Sequence, residues 1–300
     1  MPYVPLNRAA GTLFQDNLNR MLEELYANMD FVHAENVIKE QYGDTVSVNA
    51  ASENLNKFGR TSTNVGTTFA TISEFQDAVT DETFATDNVV DSIVSTNAGD
   101  TQDIVVQGFT LDNTTGQLTK VTQTATLTGT TEVTLSTPLA RVVRAYVGTT
   151  GTVLAEPAAL AGDVTIYDNA GGITGGKPNV DAAVKLILFS GQTQSEKCAT
   201  CTANNEYWII SALRAQVFAA ANQTDFVTVR IETRDLVNGG AWRPLGGDVV
   251  AVPGAFPPPQ TPFNPLRIVP KNHDVRAVAK TDAATAPVFA EIEGVIAEVQ

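Results

Sequence analysis

Histidine, cysteine and positive charge are all scarce in this chain, and each shortage excludes something. Among 300 residues there are two histidines, His33 and His273. That number removes most metal and acyl-transfer sites, and no GxSxG elbow is present. The two cysteines form one CxxC, Cys198 and Cys201. A zinc site would need two further ligands, and only the remote His33 and His273 are available. A redox role would need the motif at a helix N-terminus after a strand, where the dipole lowers a thiol pKa. Here it stands in a polar loop ahead of a strand, so the expectation is two loop thiols or a local disulfide. Nineteen Lys and Arg face 33 Asp and Glu, a net charge of -14. So acidic a surface repels phosphate backbones, and no local basic patch stands out, so no nucleic-acid partner is expected. No run is long and apolar enough to cross a bilayer, so no membrane partner is expected. The start, Met1-Pro2-Tyr3-Val4-Pro5, lacks the basic beginning and apolar core of a secretory signal, which implies synthesis and assembly in the cytoplasm.

What the chain has instead is β-pattern. Val121, Gln123, Ala125 and Leu127 alternate with Thr122, Thr124, Thr126 and Thr128. Side chains on a strand point to opposite faces with period two, so one face is buried and a threonine-rich face is left outside. Gly129 breaks the run and alternation resumes at Val133 and Leu135. Then Val143, Ala145 and Val147 are expected on one face, opposing Val142, Arg144 and Tyr146. Further short apolar runs lie at 68–72, 89–94, 104–111, 164–167 and 184–189, separated by Gly, Asn, Asp and Thr. After residue 190, runs at 207–210, 227–234, 249–252, 275–279 and 288–296 continue the pattern, with Asn238-Gly239-Gly240 as a hairpin turn. Such spacing suggests sandwiches, and the missing helical crossovers argue against a parallel α/β sheet. The loop 253–265 carries six prolines and is not expected to be an internal strand.

One helix is expected, over residues 12–29. Thr12 caps it, Gln15 completes a capping box, and Phe14, Leu18, Met21, Leu22, Leu25 and Met29 form one apolar stripe. That stripe either packs on its own domain or serves as a contact arm for a partner. The fold class is therefore mainly β: tandem antiparallel β-sandwich domains, jelly-roll-like, preceded by one N-terminal helix. The expected division is a helical arm and tether over 1–56, a first sandwich over 57–192 and a second over 193–300.

Other constellations carry little chemistry. The string 171–177 fits GxxxxGK, but Pro178 stands where a phosphate-binding loop needs Ser or Thr, so a glycine-rich hairpin is the better reading. Many acid pairs exist and nothing marks one of them. Arg141 with Arg144, and Arg230 with Arg234, either receive a partner's carboxylates or pair locally, with the local reading favoured. Trp208 lies in an apolar run and reads as core, whereas Trp242 follows Gly239-Gly240 and reads as exposed.

From residue 56 onward the chain resembles tailed-phage virion proteins. The resemblance rests on Asn56-Lys57-Phe58-Gly59-Arg60, Val65-Gly66-Thr67-Thr68, and the stretch Thr126 to Val133 with Arg141-Val142-Val143-Arg144. It continues in Gly162-Asp163-Val164-Thr165-Ile166-Tyr167, Tyr207-Trp208-Ile209, and Ile268-Val269-Pro270-Lys271-Asn272-His273-Asp274-Val275. It implies a structural component of a phage particle, closest in role to capsid cement or decoration proteins, with no catalytic residues. The resulting expectation is a non-enzymatic protein, without cofactor or metal, on the capsid surface of a virion. Its partners would be the major capsid protein and further copies of itself, a trimer suiting threefold lattice positions. The alternatives are a neck, tail or fibre component, and a carbohydrate-binding surface protein.

Overall fold

The computed structural model describes residues 32–47, 54–60, 65–72, 84–148, 158–169, 171–180, 183–198, 200–217, 226–251, 260–281 and 287–300. A helix α1 covers 32–42. The strands that precede the first sandwich are β1 (Val46–Ser47), β2 (Asn54–Arg60) and β3 (Ala70–Ile72). Then follow β4 (Val90–Ser95), β5 (Asp103–Leu111), β6 (Leu118–Thr126), β7 (Val133–Leu139), β8 (Arg141–Val147) and β9 (Val164–Asp168). A small hairpin, β10 (Ile173–Thr174) and β11 (Lys177–Pro178), leads to β12 (Val184–Leu188) and β13 (Gln194–Glu196). The remaining strands are β14 (Thr200–Cys201), β15 (Glu206–Val217), β16 (Val227–Asp235), β17 (Arg243–Ala251), β18 (Gln260–Val269), β19 (His273–Thr281) and β20 (Val288–Val299).

The first sandwich faces a sheet ordered β12-β9-β4-β7 against one ordered β13-β8-β5-β6. Its core includes Ile93, Ile104, Val106, Leu135, Leu139, Ile166 and Leu186. The alternation on β6 holds: Gln123, Ala125 and Leu127 are buried, and Thr122, Thr124, Thr126 and Thr128 are exposed. Buried Gln123 is satisfied, because its Nε2 donates to the Thr137 carbonyl at 2.8 Å and its Oε1 accepts from Ser136 Oγ and Thr137 N. The parity expected on β8 fails at one residue. Gly108 pairs with Val142 and Gln107 with Arg144, so Val143 is an extra residue, a β-bulge. Val142, Ala145 and Val147 therefore share the core, while Val143 turns outward with Arg141. Glycine at 108 permits this, since an added Cβ would overlap the Arg141 carbonyl oxygen and sit 2.8 Å from Leu139 Cδ1.

The second sandwich is built from both ends of the described chain. One sheet runs β1-β20-β15-β18 with β2 also on β20, and the other runs β14-β19-β16-β17 with β3 also on β19. The pairings Phe58↔Glu291 and Thr71↔Val278 thus place β2 and β3 in the second sandwich, where the stretch from residue 57 was expected in the first. The first sandwich is inserted between β3 and β14, and the two are nested. Sequence pattern marks strands but not partners, so this recruitment was invisible. Pro262 and Pro265 lie in β18, which is the sheet edge, so the chain respects the rule that proline avoids internal strands.

The N-terminal helix of the described residues is α1, in a stretch expected to be tether. Ala34 and Ile38, one turn apart, are buried on Tyr207, Ile209 and Ala297 at the outer face of β15 and β20. The expected helix over 12–29, with Phe14, Leu18, Met21, Leu22, Leu25 and Met29, lies outside the described residues.

Candidate functional site

Among the described residues, a dense cluster of charged and aromatic side chains sits where the two sandwiches meet. The bulge on β8 turns the Arg141 side chain out of the first sandwich toward β19 of the second. There its Nε donates to Asp274 Oδ1 at 2.9 Å and its Nη2 to Oδ2 at 3.0 Å, a bidentate pair. The two side chains are 4% and 0% exposed, so water does not share the charge. Arg141 also donates to the carbonyl oxygens of Ala85 and Ala140, and Arg234 donates a second guanidinium to Asp274. Both oxygens of the buried carboxylate thus accept from an arginine, and such hydrogen bonding is what lets a buried ion pair be tolerated.

Aromatic rings cover these cations. Arg141 lies 5.1 Å from the Phe84 ring centre, and Phe84 meets Trp242 edge-on at 4.9 Å. Trp242 takes Arg276 at 4.1 Å and Arg234 at 5.0 Å. Along the outer face of β16 and β19, Glu232 accepts from Arg230 and from Arg276, whose Nη2 lies at 2.7 Å, and Arg230 stacks on Phe69. Arginines and carboxylates alternate here as a ladder. The local pairing expected for Arg230 and Arg234 is what the structure shows.

Apolar contact and backbone bonds complete the junction. Phe109, Leu118 and Val143 of the first sandwich pack with Cys201 and Ala203 of the second. Asn272 holds a left-handed backbone, φ 58°, which asparagine tolerates better than most residues. Its Oδ1 accepts from Leu118 N at 2.9 Å, and Asn204 N donates to the Leu118 carbonyl at 2.8 Å. The β5–β6 hairpin also rests on the β16–β17 turn, where a Cβ on Gly116 would lie 2.7 Å from the Leu236 carbonyl oxygen.

Both cysteines are buried and unpaired, so the local disulfide is not formed. Burial pushes the Cys198 thiol up to about 12 and raises that of Cys201 as well, so neither is a ready thiolate. Among the described residues no group of three His, Cys, Asp or Glu is placed to hold a metal ion. Residues 171–177 form the expected hairpin: Gly175 and Gly176, both at positive φ, are the two-residue turn between β10 and β11. Trp208 is core, 2% exposed, whereas Trp242 is half-buried among its guanidinium partners.

Sequence reasoning singled out Arg141, Arg234 and Trp242 but did not bring them together. It passed over Phe84, Asn272, Asp274 and Arg276 as sites. The available signal was the segment 270–276, where an asparagine turn precedes an aspartate and, two residues on, an arginine at the start of a strand.

No family model matches the chain, and no curated protein matches it. Among solved structures, the chain is similar to one from the T13 IBDV viral particle, at 9% identity and TM-score 0.19, covering 84% of this chain and 75% of the other. A structure of the infectious bursal disease virus Gt strain aligns at 10% identity and TM-score 0.22, covering 88% and 77%. The VP2 subviral particle of the same virus aligns at 10% identity and TM-score 0.20, covering 89% and 82%. TM-scores of this size lie well below those of a shared fold.

Proposed function

We propose that this chain is a non-enzymatic structural protein of a virus particle, bound to the capsid surface and stabilising the head as a cement protein. The observation that carries the reading is the junction. A bidentate buried ion pair, a second arginine and an apolar seam make two sandwiches one block, suited to carrying load between neighbours. The exposed threonines of β6 add a flat polar face at a sheet edge, and the resemblance to tailed-phage virion proteins gives the setting. The major capsid protein and further copies of this chain are the proposed partners, a trimer suiting threefold lattice positions. Many modest contacts, multiplied by symmetry, resist pressure from packaged nucleic acid.

The test is to locate the protein on intact particles by cryo-electron microscopy and to count it against the major capsid protein. Copies in lattice proportion, and particles that lose nucleic acid under osmotic shock when the gene is deleted, support the proposal. A few copies at one vertex move it to the neck or tail. The carbohydrate-binding alternative needs an open aromatic face, and Trp242 is engaged by Arg276 and Phe84.

A further inference from the structure

The turn between β16 and β17 carries Asn238-Gly239, the single Asn-Gly step in the 300 residues. Both residues are exposed, and Gly239 holds a left-handed φ of 62°. A Cβ placed on Gly239 would meet nothing within 4 Å, so open space surrounds this peptide bond. The Gly239 amide nitrogen donates no hydrogen bond to any described residue. Asp235, by contrast, holds Asn238 twice. Its Oδ1 accepts from the Asn238 backbone N at 3.1 Å, and its Oδ2 accepts from Asn238 Nδ2 at 2.6 Å. We propose that this turn is a self-modifying site, at which Asn238 converts to aspartate or isoaspartate, and that Asp235 is the brake on the reaction.

The chemistry needs only the chain and water. Gly239 N attacks Asn238 Cγ, so an N–Cγ bond forms and the Cγ–Nδ2 bond breaks. The proton that Gly239 N gives up leaves with Nδ2 as ammonia, and a cyclic imide remains. Water then adds to either imide carbonyl and opens the ring, to aspartate or, with an extra carbon in the main chain, to isoaspartate. Nothing is oxidised or reduced. Glycine favours the attack because no side chain stands beside the nucleophile. The bond to Asp235 opposes it, because the Nδ2 that Asp235 holds must leave and Cγ must turn toward Gly239. Either product sets a carboxylate against Asp235 where a donor had been, and like charges so close repel. The turn bears on the junction: Leu236 packs with Phe109 and Cys201, its N donates to the Asn272 carbonyl at 3.2 Å, and Gly116 abuts its carbonyl. Conversion at Asn238 therefore loosens the seam between the sandwiches with age.

The experiment ages the full chain in mildly alkaline heavy-oxygen water and maps its peptides by mass spectrometry. Position 238 should convert before any other asparagine, carry the heavy oxygen, and accept methyl groups from an isoaspartyl methyltransferase. Asp235→Ala should speed conversion roughly fivefold, the scale of one lost hydrogen bond. Asn238→Gln, whose longer side chain closes a ring far more slowly, should keep its amide. Asn238→Asp carries the new charge from the start, so its Cys201 should react with a thiol reagent roughly threefold to tenfold faster than in the fresh wild-type chain. An Asn238 that stays intact while other asparagines convert, or an Asp235→Ala chain that ages no faster, overturns the proposal. An unchanged Cys201 rate in Asn238→Asp overturns the link to the seam.

Discussion

The two sandwiches are built to opposite plans. The first is one continuous segment whose strands find partners nearby, as in the hairpin that pairs Leu111 with Leu118. The second joins β1, β2 and β3 to the strands from β14 to β20, and β2 reaches β20 across most of the chain. Closing a long loop costs conformational entropy, but a loop that is itself folded presents its ends at fixed positions. The first sandwich thus acts as the folded insert that brings β3 and β14 to β19. A sandwich of local contacts can form alone, whereas one of distant segments leans on its insert, and the junction is where that dependence is exercised.

Asp274→Ala breaks the comparison most severely. It leaves buried Arg141 without its carboxylate and Arg234 without its partner, a loss of about 3–5 kcal/mol. Calorimetry should show one unfolding transition separating into two, with the first sandwich melting independently. Cys201, in the seam, should then react with a thiol reagent before Cys198, which lies in the core of the second sandwich. Arg214→Ala, at a pair 37% exposed on the arginine side, should shift stability by less than about 1 kcal/mol.

The strands and their faces were legible in the sequence because period-two burial is a local property. Thr122, Thr124 and Thr126 against Gln123 and Ala125 needed no knowledge of partners. The bulge at Val143 was not legible, because its cause is the opposing Gly108, thirty-five positions earlier. The junction was not legible either. Asp274 reads as one acid in a strand, and only the nesting of one sandwich inside the other brings Arg141 to it. The helix α1 escaped notice because Ala34 and Ile38 make too short a stripe to register.

Gly108→Ala sharpens the comparison by straining the first sandwich alone. The new Cβ overlaps the Arg141 carbonyl, so a loss of about 1–3 kcal/mol is expected, read as a lower urea midpoint. Because the bulge also aims Arg141, this variant should advance the labelling of Cys201 as well. An unchanged midpoint would show that the bulge relaxes without cost.

The smallest effect lies in the second sandwich. Lys271 and Tyr207, by hydrogen bonding, hold the Asp44 carboxyl below the usual range. A carboxyl with a depressed folded pKa contributes stability above its unfolded value, about 3.9, and loses it as pH falls through the lower folded value. Stability should therefore decline as pH falls below the unfolded value, partly through this group. Asp44→Asn should flatten that part of the acid limb in urea titrations followed by tyrosine fluorescence.

Nesting also sets a clock. Roughly 230 residues separate Phe58 from its partner Glu291. At about 5–20 residues per second, β2 leaves the ribosome roughly 10–50 seconds before its partner strand exists. A strand kept waiting so long is exposed to every other unpaired edge in the cell. Its composition answers that hazard: Asn54, Asn56, Lys57, Gly59 and Arg60 surround only Leu55 and Phe58, charge and amide where a sticky strand would carry valine and isoleucine.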